Sequence, residues 1–370
     1  MNKPLLPSGL FDLLPPHAEA ESIVVSTLLS HFRSCGYEQV SPPLMEYEDT
    51  LINQRDKSLS TQSFRVMDPL SQKMMAVRAD MTMQIARIAG SLLHEAPRPL
   101  RLCYMGQTLR TTPEPTRSTR QFRQIGIEML GCNDVLADVE VIQTAVTGAH
   151  ALGMENLSVD LNLSSLFDEL TSQLDSDKQE ALRESLKRKD IAAIEAFGLD
   201  DLTMLAKTIG PAASVLDSLS QYDFGANVKQ QIDALTTTCQ LLQQRLGDAV
   251  SITIDPLEMK GFGYYSGLSF SVFLTDESVE VGRGGRYRTE YGEDATGFTL
   301  YVEDLLSVIT TDNDRPLLLV PSDTSEEKAN HWRQQGYVVI YALTDDTKDE
   351  AKRLNCSHRI HNSTIINTKE

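Results

Sequence analysis

Between Gly106 and Gly131 the chain reads GQTLRTTPEPTRSTRQFRQIGIEMLG, with Arg110, Arg117, Arg120 and Arg123 inside fourteen residues against one acid, Glu114, ahead of Glu128. A guanidinium donates two parallel hydrogen bonds to planar carboxylate or phosphate oxygens, so the cluster reads either as a local anion site or as a solvated charged hairpin. Within QIGIEML the two-residue period of a strand sets Gln124, Gly126 and Glu128 on one face and Ile125, Ile127 and Met129 on the other. A glutamine and a glutamate aimed into one space accept from an ammonium or an imidazole N–H; the alternative is a wetted outer face. A second cluster is MKGFGYYSGLSFSVF, Met259 to Phe273, where Lys260 precedes Gly261, Gly263 and Gly267, and these bracket Tyr264 and Tyr265. Glycine permits close backbone approach to a ligand and tyrosines supply flat walls with a polar tip, although a glycine-kinked strand with core tyrosines has the same composition. VRADMT, Val77 to Thr82, and VGRGGRY, Val281 to Tyr287, are weaker signals, the latter explained as well by a tight turn.

These residues need elements to position them. From His17 to Cys35, Ile23, Val24, Leu28, Leu29 and Phe32 recur at helical spacing, with Pro15 and Pro16 at the entry and Gly36 as a stop, which predicts an amphipathic helix. GYEQVSPPLMEYEDTL predicts a short strand broken by Pro42 and Pro43, an edge or interface element. Residues 74 to 130 alternate short apolar runs with arginines, and 251 to 303 holds the clearest strand, with Leu268, Phe270, Val272 and Leu274 alternating with Ser269 and Ser271. Residues 165 to 248 are rich in Leu, Gln, Glu, Lys and Ala at helical period and predict a helical insertion. From Pro316 an apolar run LLLV, a polar helix candidate and a second run YVVIYAL predict a small α/β module. The expected class is α+β, with one domain over 1–312 and a second over 313–370.

The chain has 370 residues, 41% hydrophobic, and carries 52 acidic against 34 basic side chains for a formal charge of -18. Such a charge disfavours broad contact with a polyanion, which argues against a large nucleic-acid footprint. Cys35, Cys103, Cys132, Cys239 and Cys356 lie far apart with no CxxC pair, so reduced thiols in a cytoplasmic protein are expected and no metal site is. The prolines and aspartate of MNKPLLPSGLFDLLPP do not suit a signal peptide, and no apolar run reaches the length of a membrane span.

Five segments resemble histidyl-tRNA synthetases, in the order that family has them. Gly106 to Gly131 is similar without a gap to motif 2; KGFGYY resembles the RGLDYY signature of the histidine branch of class II enzymes; VRADMT resembles LRPEGT; GGRY matches outright; and GFTLYVEDL stands in the place of motif 3. GLFDLLPP also resembles the family's opening. The resemblance covers about residues 8 to 310 and implies a class II antiparallel sheet flanked by helices, with a helical insertion. Carried over position by position, it implies that Asp80 and Thr82 hold the α-amino group of histidine, that Gln124 and Glu128 reach the same ligand, and that Tyr264 and Tyr265 line the imidazole pocket. Arg110 matches the motif 2 arginine that bridges the amino-acid carboxylate and the ATP α-phosphate. Asp80 keeps the charge of the family's glutamate on a side chain one methylene shorter.

The departures fall on nucleotide and tRNA positions. The motif 3 arginine is replaced by Asp304; a unit charge pair at 4 Å is worth about 4 kcal/mol at an effective dielectric of about 20, and reversing one sign swings the interaction by roughly twice that. Thr112 and Pro113 replace a glutamate and an arginine, and Lys260 replaces an arginine with a cation that lacks the two-pronged donor geometry. The short tail stands where a synthetase carries its anticodon-binding domain. A synthetase-like body with a retained amino-acid pocket and altered ATP and tRNA positions resembles the regulatory subunits of ATP phosphoribosyltransferase. That resemblance implies a non-catalytic, cofactor-free protein of histidine biosynthesis that binds L-histidine as effector, self-associates as a dimer, and joins a short-form catalytic subunit in a hetero-octamer. There it activates the partner and conveys feedback inhibition. Two other classes are an adenylating paralogue, separable by ATP–pyrophosphate exchange, and a sensor of uncharged tRNA, separable by a tRNA shift assay.

Overall fold

The computed structural model describes residues 5–51, 61–113, 118–163, 165–259, 264–276, 279–309, 315–362 and 364–368. Lys260, Gly261, Gly263, Glu114 and Arg117 lie outside these. The chain forms two compact units, Met1–Ile309 and Thr310–Glu370.

In the first unit the order begins α1 (His17–Ser34), β1 (Glu38–Val40), β2 (Met45–Tyr47), α2 (Glu48–Leu51), β3 (Arg65–Met67), β4 (Met74–Val77) and α3 (Thr82–Ser91). It continues with β5 (Leu100–Leu109), β6 (Gln121–Leu130), α4 (Val135–Ala151) and β7 (Leu157–Asn162). Helices α5 (Ser165–Thr171), α6 (Ser176–Lys187), α7 (Ile191–Glu195) and α8 (Asp200–Lys207) follow, then β8 (Gly210–Pro211), α9 (Ala212–Ser220) and α10 (Ala226–Leu246). The unit closes with β9 (Val250–Ile254), β10 (Tyr265–Leu274), β11 (Val279–Arg288), β12 (Asp294–Tyr301) and α11 (Val302–Val308).

Nine strands form one sheet in the order β1-β5-β6-β12-β11-β10-β7-β9-β8, and β2-β4-β3 form a small second sheet. The α+β class expected from the sequence is the one found. The large sheet is antiparallel from β5 to β7, with parallel pairs β1–β5 and β7–β9 outside that run. β1 is an edge strand and ends just before Pro42 and Pro43, as a missing amide donor requires. No strand is expected at β8 from periodicity, because two residues carry no alternation; Gly210–Pro211 nonetheless pairs with β9 at the other edge.

Each face of the sheet has its own core. On one, Ile125, Ile127 and Met129 of β6 join Phe298 and Leu300 of β12, Phe270 and Val272 of β10, and Leu28 and Phe32 of α1. Phe32 meets Phe298 edge-on with ring centroids 5.5 Å apart. Helix α1 departs from its expected face by one position: Val25 is buried and Ile23 is 42% exposed. On the opposite face Met81, Ile85 and Ala89 from the α3 segment cover Leu102, Tyr104, Leu130, Tyr287 and Ala295. The side of β6 that carries Gln124 and Glu128 is therefore roofed rather than wetted.

The second unit has β13 (Leu317–Val320), α12 (Glu326–Gln334), β14 (Val338–Tyr341), α13 (Thr347–Arg353), β15 (His358–His361) and β16 (Thr364–Asn367). Its sheet order is β14-β13-β15-β16, with β13 parallel to β14 and β15, and β16 antiparallel to β15. All five cysteines are free thiols, and among the described residues no helix is long and apolar enough to cross a membrane.

Candidate functional site

Hairpin β5–β6 pairs Gly106 with Gln124, Tyr104 with Gly126 and Leu102 with Glu128. Gln124 and Glu128 are 0% and 2% exposed, so both must find partners in the protein, since an unpaired buried polar group costs about 1–3 kcal/mol. Gln124 Oε1 accepts from the Met81 amide at 2.9 Å and its Nε2 donates to Asp80 Oδ2 at 2.7 Å. Asp80 Oδ1 in turn accepts from the Thr82 amide at 2.8 Å. One strand residue thus fixes the turn that opens α3 and aims the Asp80 carboxylate.

Glu128 is held from two sides. Tyr287 donates to its Oε2 at 2.9 Å and Tyr104 to its Oε1 at 3.3 Å, while the Tyr104 and Thr299 hydroxyls share a further bond of 2.8 Å. Burial pushes the Glu128 carboxyl up to about 8; the Tyr287 bond opposes the shift, the Asp80 charge adds to it, and the Tyr104 and Thr82 hydroxyls oppose it. Burial, and then the charge of Glu128, raises Tyr104, Tyr264 and Tyr287 well above the usual phenol range. Tyr264 stacks on Tyr287 with centroids 5.3 Å apart and meets Tyr265 edge-on at 5.2 Å. Among the described residues the buried Tyr264 hydroxyl has no hydrogen-bond partner.

These groups surround one cavity, lined by Thr82, Glu128, Tyr264, Tyr265, Tyr287 and Thr299, with Gly284, Gly285 and Gly297 in its walls. Asp80, which accepts from the Thr82 amide and from Gln124, does not line the cavity, and neither does Gln124. Arg110 does not line the cavity. It is 7% exposed, its Nε donates to the Ala79 carbonyl at 3.2 Å, and its guanidinium lies 4.8 Å from the Phe122 ring centroid. The described arginines of this segment do not converge on one point. Arg120 donates to the Thr111 carbonyl at 3.0 Å and sits over Phe64, and Arg123 pairs with Glu21. Asp304 lies in the first turn of α11 and is not a cavity residue. Beside it, Glu303 accepts from the Arg123 amide at 3.0 and 3.1 Å, and burial pushes its carboxyl up to about 7, with the Glu21 and Asp304 charges adding.

Tyr104, Tyr287 and Thr299 are site residues that sequence reasoning did not single out. Tyr287 lay within GGRY, but Tyr104 is one apolar-face residue among several in LRLCYM until the hairpin register is known. Among the described residues no cluster of His, Cys, Asp and Glu is arranged to hold a metal. The arrangement offers one carboxylate, Asp80, that accepts from protein donors, a second, Glu128, that burial holds protonated near neutrality, and an aromatic wall between. The free space these groups leave measures about 30 Å³, room for about one water, so a larger ligand enters only if the walls move apart.

The sequence profile described as histidyl-tRNA synthetase matches residues 9–305. The ATP phosphoribosyltransferase regulatory subunit of Paramagnetospirillum magneticum is 40% identical over 99% of this chain and 98% of its own length. A solved structure from Bacillus halodurans, described as an ATP phosphoribosyltransferase regulatory subunit/histidyl-tRNA synthetase, superposes with a TM-score of 0.80 at 21% identity, covering 95% of this chain and 97% of that one. A chain of the ATP phosphoribosyl transferase (HisG:HisZ) complex from Thermotoga maritima gives a TM-score of 0.59 at 17% identity, over 76% of this chain and 97% of that one. At these identities the two structures speak to the fold, whereas the sequence match extends over nearly the whole chain. On that match, the chain belongs to the family of ATP phosphoribosyltransferase regulatory subunits, built on the histidyl-tRNA synthetase fold.

Proposed function

We propose that this chain binds free L-histidine without activating it, and that in the cytoplasm it serves a short-form ATP phosphoribosyltransferase subunit as activator and histidine sensor. The observation that carries the reading is the Glu128 carboxyl, buried between two tyrosine hydroxyls beside a cavity that Tyr264, whose buried hydroxyl has no hydrogen-bond partner among the described residues, helps to line. The ligand's ammonium is assigned to Asp80, Thr82 and the Gln124 side, its imidazole N–H to Glu128, and its ring to the wall of Tyr264 and Tyr265. Arg110, bonded to the residue before Asp80, is assigned the ligand's carboxylate.

The absence of aminoacylation rests on Asp304, Thr112 and Pro113, which replace charged positions of the synthetase pattern with a repelling or neutral group. A protein with a ligand site and no reaction centre acts through another chain. The partner is a short phosphoribosyltransferase, with this chain dimeric inside a larger hetero-oligomer. Calorimetry with L-histidine, alongside ATP–pyrophosphate exchange, tests the first half. Histidine binding with no exchange above background is expected, and histidine-dependent exchange would sink it.

A further inference from the structure

Among the described residues that line the cavity beside Glu128 there is one cation, Arg283 of β11. Register places it. Glu128 lies across from Gly297 and Gly297 across from Gly285, while Gly126, Thr299 and Arg283 form the next rung on the same face. Two residues along a strand are about 7 Å and two strands are about 10 Å, so the guanidinium and the Glu128 carboxyl reach the cavity from opposite ends. Burial raises the Tyr265 phenol and the Arg283 charge opposes the rise, which sets the guanidinium beside that wall tyrosine.

Arg283 is held by a carboxylate of its own strand. Residues three apart on a regular strand face opposite ways, but the β10–β11 pairing slips between Val272 and Phe273, across from Gly282 and Glu280. Such a slip re-aims side chains, and Arg283 Nε comes to lie 2.8 Å from Glu280 Oε1. The pair is partly wet, with the arginine side chain 31% and the glutamate side chain 16% exposed, and ion pairs open to water hold weakly. A ligand carboxylate that accepts two parallel N–H bonds inside the cavity is the stronger partner. Of the lining residues only Tyr264, Tyr265 and Arg283 keep appreciable exposure, so these are the groups that can part for a ligand without opening the core.

We propose that Arg283 makes this pocket select an amino acid over the corresponding amine, by leaving Glu280 to clamp the ligand's carboxylate together with Arg110, a role that rests on the histidine reading of the same site. Glu280 is then the competitor for the guanidinium. The two side chains of one ion pair therefore have opposite effects on binding, whereas a pair that only braces β11 would weaken binding on loss of either member.

The test is calorimetry of the intact chain at pH 7 with L-histidine and with histamine, which lacks the carboxylate. The unaltered chain is expected to bind L-histidine about tenfold or more tightly than histamine. Arg283→Gln should weaken L-histidine by about tenfold or more and change histamine less than about twofold. Glu280→Gln should tighten L-histidine by about two- to fivefold and again leave histamine within about twofold. No L-histidine binding to the unaltered chain would defeat the histidine reading itself. L-histidine binding that is no tighter than that of histamine, that survives Arg283→Gln, or that fails to tighten in Glu280→Gln removes Arg283 from the carboxylate and leaves the histidine reading standing.

Discussion

Gly297 of β12 lies directly across from Glu128 of β6, and a methyl group at Gly297 would stand 1.9 Å from Glu128 Oε2 and 2.6 Å from the Ile127 carbonyl oxygen. The carboxylate occupies the space a side chain would fill on the neighbouring strand. Gly297→Ala must therefore push Glu128 off the Tyr287 hydroxyl or part the strands. Overpacking of this kind costs about 1–3 kcal/mol. The expected outcome is a thermal midpoint lowered by several degrees together with histidine affinity reduced tenfold or more. Full histidine affinity in a folded Gly297→Ala chain would remove Glu128 from the pocket.

Glu128→Ala and Asp304→Ala together test the proposed amino-acid pocket. A hydrogen bond to a charged group is worth about 1.5–3 kcal/mol, so loss of Glu128 should weaken histidine about tenfold to a hundredfold. Asp304 does not line that cavity, and its removal should leave the affinity within twofold. Calorimetric titrations that give the two variants equal affinities contradict the assignment.

The Glu128 carboxyl, pushed up to about 8 by burial, is mostly protonated at pH 7 in the free protein. A ligand N–H or ammonium favours the carboxylate, so binding should release a proton and affinity should rise with pH toward 8, by up to tenfold per unit, then level off. The proton count comes from titrations in two buffers of different ionisation enthalpy, and Glu128→Gln should abolish it. The same shift has the opposite sense for stability of the free chain. Its folded-state pKa lies above the unfolded one, so the folded state binds more protons between them, and stability present below about 4.5 is lost as pH rises to about 8. Glu303, raised to about 7, acts in the same direction. Thermal midpoints should fall from pH 5 to pH 8, and the fall should be shallower in Glu128→Gln; a flat profile for both refutes the shift.

Much of the pocket was readable because strand alternation is local: Gln124 and Glu128 on one side of β6 follow from a two-residue period. Whether that side is wet or buried is not local, since it depends on α3 folding over it from forty residues upstream. Tyr104 illustrates the same limit, because its hydroxyl meets Glu128 only through the β5–β6 register, across Gly126, which has no side chain to block it. The arginines of the hairpin show a limit of another kind. Their density in sequence leaves an anion site and a charged hairpin both open, and the partners of the described ones come from distant parts of the chain: Arg110 Nε donates to the Ala79 carbonyl, Arg120 lies over Phe64 and Arg123 pairs with Glu21.

The regulatory role makes the strongest demand on these residues. Histidine inhibits a complex only if it binds one state of that complex more tightly than another, so the partner's activity and histidine affinity are linked by one coupling free energy. A short ATP phosphoribosyltransferase subunit should gain activity when this chain is added, and histidine should reverse the gain. By reciprocity, substrates that favour the active state should weaken histidine binding to the complex by the same factor that histidine weakens theirs. Glu128→Ala should remove most of the inhibition and leave activation largely intact, because Glu128 is 2% exposed and lies beneath Tyr287 and Tyr104 rather than on a surface a partner can touch. Gel filtration of the mixed chains, activity with and without histidine, and the same pair of measurements on Glu128→Ala and on Tyr264→Phe with Tyr265→Phe are sufficient. Failure of the two chains to associate would end the regulatory proposal, and inhibition that persists unchanged in all these variants would place the histidine sensor elsewhere than between β6, β10 and β12.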